Sequence, residues 1–271
     1  MNLCEILDVE LERLNKEQRE KHGVKKSHYP SEMTDCMRKL WYRWNSAIES
    51  NPIEGRNLLK MAIGNVIHDF VFSLLEKKGV QIVNEIEFKF QCEGSVFPVS
   101  GRIDYLFVDG DGKLTGVEVK TTSGYGTDSI IKANFPKLEH LSQVGVYTSC
   151  TEVKRFIVLY IDQQKSWKKQ FSVNNIDGKI YVEDAIYEGF NFEKVCEKIR
   201  KIENNFHTST IPDRDFQIAI VDGIEKDKFT KDKIDYKSAW QCQYCQYHDL
   251  CWSEIIKQAT VGKFYGEVKI V

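Results

Sequence analysis

The alternation of apolar and polar residues is clearest in two neighbouring stretches that predict a β-hairpin. Residues 101–108 are apolar on both faces of a strand except for Arg102 and Asp104, and residues 114–122 alternate as a return strand would. The Asp-Gly pairs within residues 109–112 are typical of a tight turn between two such strands. The pattern therefore predicts two adjacent strands that carry charged side chains in the middle of the chain.

Three further stretches are also predicted to be strands. Residues 85–90 alternate as expected of a half-exposed strand. Residues 155–161 are apolar on both faces, which is typical of a central strand, and residues 166–173 are its expected partner.

Apolar residues at a spacing of three to four positions predict the helices. These helices cover residues 2–20, a segment that follows Ser31 as its N-cap, and residues 56–77, 136–150 and 192–205. Residues 122–135 are predicted to be a loop, and the charged stretch 213–238 matches no pattern. The order of helices and strands predicts an α/β fold with a mixed central sheet flanked by helices.

The composition fits one globular domain of 271 residues, with 42% hydrophobic and 29% charged residues. The net charge of −2 is not basic, so a nucleic-acid partner would need a local groove. No signal-peptide pattern and no run of roughly 18 apolar residues is found, which predicts a cytoplasmic protein without a membrane partner. The eight cysteines are then expected to bind metal or to pack in the core.

The candidate chemistry begins with Asp104, a carboxylate on an otherwise aliphatic strand face. The hairpin would bring it close to Glu118, and two carboxylates about 4 Å apart repel each other by about 4 kcal/mol at an effective dielectric constant of about 20. A bound Mg²⁺ or Mn²⁺ ion would remove this repulsion, and Lys120 would share the face of Glu118. The alternatives are a salt bridge of Asp104 with Arg102 or Lys120, and a solvated strand face.

Three polar residues on predicted helices are further candidates. Gln143 and Tyr147 lie one turn apart, opposite the apolar face of their helix. His68 lies off the apolar stripe of residues 56–77, where a histidine is more often a surface residue than a ligand.

The strongest metal signal is the sequence CQYCQYHDLC, which contains Cys242, Cys245 and Cys251. Three thiols leave a four-ligand site short of one ligand. His248 could complete a zinc site locally, and Cys36 could complete the site from the other end of the chain. The remaining four cysteines fall in no cluster and are expected to be core residues.

Together these motifs resemble the RecB-type branch of the PD-(D/E)XK nucleases. Four motifs match in order: a helix-borne histidine motif at 64–68, G-x-x-D at 101–104, E-x-K at 118–120 and Q-x-x-x-Y at 143–147. The cysteine pattern is similar to that of the iron–sulfur subgroup. A chain of this length without helicase motifs looks most like the CRISPR-associated (Cas-four-like) exonuclease family, of which phages also carry relatives.

The resemblance implies a restriction-endonuclease-like core and a role for each matched residue. A divalent metal would be held by His68, Asp104, Glu118 and the backbone carbonyl of Val119. Lys120 would position the attacking water. Gln143 and Tyr147 would support the site and the DNA backbone.

The resemblance also implies a [4Fe–4S] cluster in a single RecB-like domain over residues 1–271. Its ligands would be Cys36, Cys242, Cys245 and Cys251. Residues 31–50 and 240–256 would jointly form an iron–sulfur subdomain. Closing the loop of about 206 residues from 36 to 242 would remove about 5 kcal/mol of chain entropy from the unfolded state.

Residues beside Cys36 could line a path for single-stranded DNA by charge and stacking. These residues are Arg38, Lys39, Trp41, Tyr42 and Arg43. The alternative is that the aromatic residues pack in the core and the basic residues are solvated.

The predicted function is a metal-dependent DNA exonuclease that hydrolyses phosphodiester bonds and prefers single-stranded ends. One alternative is an accessory subunit of CRISPR spacer acquisition, which trims ends beside an integrase; a phage recombination or replication protein is another possible partner. A second alternative is a zinc-stapled module that binds DNA without catalysis.

Overall fold

The computed structural model describes residues 2–108, 110–216, 219–221, 224–226, 240–253 and 269–270. The chain divides into two compact units. The terminal unit comprises Met1–Lys25, Asp35–Gly55 and Asn204–Val271, and the core unit comprises Lys26–Thr34 and Arg56–Glu203.

Helices and strands alternate along the chain as in an α/β protein. The helices are α1 (Leu3–His22), α2 (Met37–Trp44), α3 (Gly55–Lys77), α4 (Tyr125–Ala133), α5 (Leu138–Cys150), α6 (Phe192–His207) and α7 (Trp240–Gln243), with a 3₁₀ helix at Pro30–Glu32. The strands are β1 (Ile82–Phe90), β2 (Val99–Val108), β3 (Leu114–Thr122), β4 (Arg155–Asp162), β5 (Lys168–Ile176), β6 (Lys179–Val182), β7 (Ala185–Tyr187), β8 (Ala219–Val221), β9 (Ile224–Lys226) and β10 (Lys269–Ile270).

The core unit is built on one seven-stranded sheet in the order β1-β2-β3-β4-β5-β6-β7. The β3–β4 pair is parallel, and every other neighbouring pair in this sheet is antiparallel. A parallel pair needs a long crossover connection, which α4 and α5 supply. In the terminal unit, a small antiparallel sheet has the order β10-β8-β9. The predicted α/β fold with a mixed central sheet is confirmed.

The predicted strands agree with β1 to β5, whereas some predicted helix boundaries and the predicted loop do not agree. Residues 122–135 contain α4, and the short strands β6 and β7 were not predicted. The prediction of Ser31 as an N-cap is wrong, because it lies inside the 3₁₀ helix that Pro30 begins. The residue at the N-cap of α2 is Cys36.

The main apolar core packs α5 against the middle of the sheet. Leu141 and Val144 of α5 join Phe156 and Val158 of β4 in one buried cluster. α5 also contacts the 3₁₀ helix, so it is covered on more than one side. For this reason, most of α5 is buried, including positions that the sequence places opposite its apolar face.

Only part of the apolar stripe of residues 56–77 is buried, and Val71 is the part of it that packs on the sheet. Val66, Phe70 and Leu74 of the predicted core stripe are exposed. Phe72 instead packs on Tyr105 of β2, with ring centroids 5.8 Å apart. The predicted buried face is only partly correct because α3 carries apolar residues almost all round, so its pattern does not single out one side.

By length and composition, α3 could also cross a membrane. This differs from the sequence analysis, which set no segment apart as a span. One such helix is weak evidence for a membrane span.

A buried ion pair ties the first segment of the core unit to α6. Nε2 of His28 lies 2.9 Å from Oε1 of Glu203, and the two side chains are almost fully buried. The carboxylate of Glu203 also accepts the backbone N–H groups of Val96 and Phe97, at 2.7 Å and 3.0 Å. Glu203 therefore satisfies three donors on two separate segments.

Replacing Glu203 with alanine is expected to reduce the free energy of unfolding by about 3–5 kcal/mol, because it leaves buried donors without an acceptor. Denaturant unfolding of the purified variant measures this loss. Glu197→Ala, on the exposed side of the same helix, should change the stability by less than about 0.5 kcal/mol. Equal stability of the two variants would show that the His28–Glu203 pair adds nothing.

Candidate active site

The pairing of β2 with β3 puts Asp104 and Glu118 on the same face of the sheet. Tyr105 is paired with Val117 in this antiparallel ladder, so the residue before Tyr105 lies opposite the residue after Val117. The backbone N–H of Val119 donates to Oδ2 of Asp104 at 2.8 Å, which holds the aspartate against β3. The structure thus brings together the two carboxylates that the sequence predicts to be neighbours.

Glu118 is a deeply buried carboxylate with one satisfied and one unsatisfied oxygen. Its Oε1 accepts from Nζ of Lys120 at 2.7 Å and from Nε2 of Gln143 at 2.8 Å. Its Oε2 is buried and has no hydrogen-bond partner among the residues that the structure describes. Burial raises the pKa of Glu118 to about 7 against the lowering effect of Lys120, and the charge of Asp104 adds to the rise.

Asp104 and His68 are the other two side chains of the candidate metal site. Burial raises the pKa of Asp104, although the Val119 N–H and the charge of Lys120 oppose this rise. Nδ1 of His68 lies 3.6 Å from Oδ2 of Asp104, and its ring also hydrogen-bonds the backbone of Val119. Burial lowers the pKa of His68, which favours the neutral ring that can bind a metal.

The donors in this group fit a hard divalent cation. Within the described ranges, no three His, Cys, Asp or Glu side chains are already arranged to hold a metal ion. Instead, the carboxylates of Asp104 and Glu118 face protein donors. Yet Oε2 of Glu118 is buried and meets no donor in the described part of the chain, and the two carboxylates repel each other. Carboxylate oxygens in this position suit Mg²⁺ or Mn²⁺.

A hydrogen-bonded chain runs from Lys120 across to β2. Nζ of Lys120 donates to Oε1 of Gln143 at 2.9 Å, and Nε2 of Gln143 donates to the hydroxyl of Tyr147 at 2.6 Å. Tyr147 in turn donates to the backbone carbonyl of Arg102 at 3.0 Å. Gln143 and Tyr147 are both buried, although they lie opposite the apolar face that the sequence predicts for α5. Their contacts orient Glu118 and Lys120 relative to each other.

Two residues at the start of α5 also lie at this site, although sequence reasoning missed them. Nδ1 of His140 lies 2.7 Å from the hydroxyl of Tyr160, and the charge of Lys120 acts on its ring. Lys137 stands one turn earlier. The spacing in the sequence could have identified His140 as a site residue. It precedes Gln143 by three positions and therefore lies on the same side of the helix.

The residues of the predicted DNA path make contacts within the terminal unit. Lys39 lies 2.8 Å and Arg43 lies 3.7 Å from the carboxylate of Asp35. Tyr42 is buried against Tyr247, with ring centroids 5.3 Å apart.

The other two residues of this path are bound to backbone carbonyls of the same unit. Arg38 donates to Pro212 at 2.7 Å, and Trp41 donates to Asn205 at 3.1 Å. The path itself stays a prediction.

The four cysteines of the predicted cluster are close neighbours in the terminal unit. Burial raises the pKa of Cys242 to about 12, and the charges of Cys36, Cys245 and Cys251 raise it further, while Trp252 lowers it. Burial also raises the pKa of Cys245. The four thiols are near enough to influence one another's pKa, although no three of the described His, Cys, Asp or Glu side chains are arranged as a metal site. Thiolates are the ligands that a soft metal or an iron–sulfur cluster would need, so the cluster stays a prediction.

His248, the alternative fourth ligand, and the remaining cysteines have contacts of their own. Nδ1 of His248 is 2.7 Å from the carboxylate of Asp249. Cys92 and Cys196 are buried in the core unit with their sulfur atoms 2.6 Å apart. The prediction that Cys4 is a core residue is wrong, because it is exposed on α1, whose apolar stripe is itself exposed.

The chain is similar to known proteins in sequence and in fold. A model of the PD-(D/E)XK nuclease superfamily matches residues 10–252. No curated protein sequence matches the chain. The crystal structure of SSO0001 has 15% sequence identity and a TM-score of 0.53, with 90% of this chain and 94% of that chain covered.

Two structures of the alkaline exonuclease LHK-Exo from Laribacter hongkongensis are also similar. Each has 12% identity and covers 68% of this chain and 90% of its own, with a TM-score of 0.46 for one and 0.47 for the complex with dAMP. At such identities the likeness concerns the fold. The family match covers almost the whole chain, and so this protein belongs to the PD-(D/E)XK nuclease superfamily.

Proposed function

We propose that the protein is a metal-dependent DNA exonuclease that acts on single-stranded ends. The observation that carries this proposal is the buried Glu118, paired with the half-buried Lys120 beside Asp104, whose Oε2 meets no hydrogen-bond donor among the described residues. A structural salt bridge would satisfy both oxygens of such a carboxylate, whereas a metal ligand needs one oxygen free.

Each residue of the site would have a separate role in hydrolysis. His68, Asp104, Glu118 and the carbonyl of Val119 would bind Mg²⁺ or Mn²⁺, which supplies electrophilic activation of the phosphate and of water when bound.

The ammonium of Lys120 would orient the attacking water and offset the negative charge that develops on the phosphate. Its contacts with Glu118 and Gln143 hold it in one position, so little reorganisation is needed during the reaction.

The proposal is tested by hydrolysis of single-stranded DNA with Mn²⁺. Wild-type protein should degrade the strand, and Asp104→Ala and Lys120→Ala should abolish this activity. Unchanged activity in either variant would contradict the proposed catalytic roles of these residues.

Replacing Gln143 with alanine is expected to lower kcat by about 10–100-fold, the usual effect of losing a group that orients metal ligands. The reason is that Gln143 links Glu118, Lys120 and Tyr147 in one chain of hydrogen bonds. Steady-state hydrolysis measures the change. Ser142→Ala, on the neighbouring position of α5, is the control and should retain the wild-type kcat; an equally active Gln143→Ala would mean that the amide does not orient the site.

We also propose that Cys36, Cys242, Cys245 and Cys251 hold a [4Fe–4S] cluster within a subdomain formed by residues 31–50 and 240–256. The grouping of the four thiols supports this proposal, as does the resemblance of the cysteine spacing to the iron–sulfur subgroup. Arg214 packs over Trp252 at 4.1 Å and donates to the carbonyl of Cys251, so side chains of the same unit hold the segment in place. Anaerobic purification tests it: a brown protein supports the cluster, and a colourless protein with one zinc per chain supports the zinc alternative.

The biological setting that we propose is the cytoplasm, with DNA as the substrate and a partner in DNA processing. The resemblance to CRISPR-associated exonucleases supports an integrase of spacer acquisition as this partner, and the relatives carried by phages support a recombination or replication protein. Neighbouring genes distinguish the two, because an adjacent integrase gene favours the first and adjacent replication genes favour the second.

A further inference from the structure

Lys137 and His140 stand one turn apart at the start of α5, on the side of the helix that leads to Gln143. Tyr160 of β4 connects them, because its hydroxyl accepts the backbone N–H of Lys137 at 3.0 Å and lies 2.7 Å from Nδ1 of His140. Tyr160 is paired with Lys120 in the parallel β3–β4 ladder. The His140–Tyr160 pair therefore lies directly beside the lysine of the candidate active site.

The hydrogen bonds of Tyr160 determine which nitrogen of His140 carries a proton. Tyr160 is fully buried, and Nδ1 of His140 is the only acceptor that its O–H meets in the described part of the chain. The hydroxyl therefore donates to Nδ1, and neutral His140 carries its proton on Nε2. This N–H has no partner among the described residues. The contact with Tyr160 fixes the ring, so the Nε2–H can donate a hydrogen bond to a ligand.

Positive charge surrounds this donor. Burial, together with the ammonium groups of Lys120 and Lys137, keeps the pKa of His140 well below its usual range, so the ring stays neutral. Nζ of Lys137 lies at the first turn of α4, 3.2 Å from the place where a Cβ of Gly126 would stand. In the part of the chain that is described, it makes no ion pair with a carboxylate. Lys120, in contrast, is paired with Glu118.

We propose that Nζ of Lys137 and the Nε2–H of His140 form a phosphate subsite that binds a nucleic-acid phosphate next to the one that is hydrolysed. A phosphate oxygen accepts hydrogen bonds from both groups, and its charge is offset by the unpaired ammonium. The inference rests on the proposed function, because it assigns the subsite to the same DNA strand. The phosphate comes either from the 5′ end of the strand or from its interior.

The first test is the steady-state hydrolysis of single-stranded DNA by Lys137→Ala and His140→Ala. Each variant should raise KM by about 10-fold, the effect of losing one hydrogen bond to a charged group, while kcat falls by a smaller factor. Lys137→Arg should restore most of the affinity because it keeps the charge. Lys132→Ala, an exposed lysine at the end of α4, is the matched control and should behave as wild type.

The second test measures binding without catalysis. The affinity of metal-free protein for a single-stranded oligonucleotide is measured at several salt concentrations, and Lys137→Ala should lower the slope of log K against log salt by about 0.7. Strands with a 5′-phosphate and a 5′-hydroxyl distinguish the two sources. A preference for the 5′-phosphate that Lys137→Ala removes assigns the subsite to the strand end, and an equal loss with both strands assigns it to an internal phosphate.

The two tests separate the failure of the subsite from the failure of the nuclease. If wild type hydrolyses DNA and both alanine variants keep its KM and salt slope, the subsite is wrong and the proposed function stands. If wild type neither binds nor hydrolyses the strand, the proposed function fails and the subsite fails with it. Because the Lys137 ammonium makes no hydrogen bond to any side chain or carbonyl in the described ranges, its variant should fold even where loss of His140 leaves the hydroxyl of Tyr160 without an acceptor.

Discussion

Glu118→Gln is expected to lower the rate of DNA hydrolysis by about a thousandfold, the usual scale for losing one electrostatic element of an active site. The substitution keeps the shape of the side chain and an acceptor for Lys120 and Gln143, but it removes the negative charge that would bind the metal. Rates of strand shortening with Mn²⁺ measure the effect. The matched control is Glu87→Gln, on the exposed side of β1, which should retain full activity.

The same variant should remain folded, and the pH dependence of stability explains why. The pKa of Glu118 rises from its ordinary 4.5 to about 7 in the folded protein, chiefly by burial. The folded protein therefore holds this proton more tightly than the unfolded chain does. As a result, the free energy of unfolding is highest below about pH 4.5 and falls as the pH rises through about 7.

Metal-free wild type should therefore lose stability over this range, and Glu118→Gln should not. Above pH 7, Mn²⁺ should raise the Tm of wild type but not that of the variant. A Tm of wild type that does not respond to Mn²⁺ would argue against metal binding at Glu118.

Cys245→Ser is expected to have the largest effect on stability. If the four cysteines hold a cluster, losing one ligand releases the loop of about 206 residues from 36 to 242, and about 5 kcal/mol of chain entropy returns to the unfolded state. At about 2–4 °C per kcal/mol, this corresponds to a fall in Tm of roughly 10–20 °C. The broad visible absorption of the anaerobic protein should disappear at the same time.

Cys4→Ser is the matched control, because Cys4 is exposed and lies on α1. It should keep both the visible absorption and the Tm of wild type. Visible absorption that persists in Cys245→Ser, or a wild type that binds zinc and is colourless, would contradict the iron–sulfur cluster. Neither result would bear on the carboxylates of the core unit.

The hairpin of the site could be predicted from sequence because its signal is local. Strand alternation and the Asp-Gly turns predict β2 and β3, and their pairing brings Asp104 to Glu118. The polar residues of α5 could not be placed in the same way. Gln143 and Tyr147 look like an exposed face because buried polar residues and solvated ones give the same pattern, and only their partners across the core distinguish them.

The helix α3 and the segment before α5 show two further reasons why parts of the structure could not be predicted from the sequence. α3 is apolar on several sides, so the pattern alone left His68 ambiguous, and only the resemblance to the nuclease family predicted it as a metal ligand. Tertiary contact with Asp104 and Val119 decides its position instead. The glycines of residues 123–126 predict a loop, but Gly124 serves as the N-cap of α4, with φ at 51°.

The most direct test of the central claim is the fate of end-labelled single-stranded DNA incubated with purified wild-type protein, with and without Mn²⁺. One strand has free ends and the other has both ends blocked. The account predicts progressive shortening of the free strand only when Mn²⁺ is present, little cleavage of the blocked strand, and no shortening by Glu118→Gln. A free strand that stays intact with Mn²⁺, or one that Glu118→Gln shortens at the wild-type rate, would contradict it.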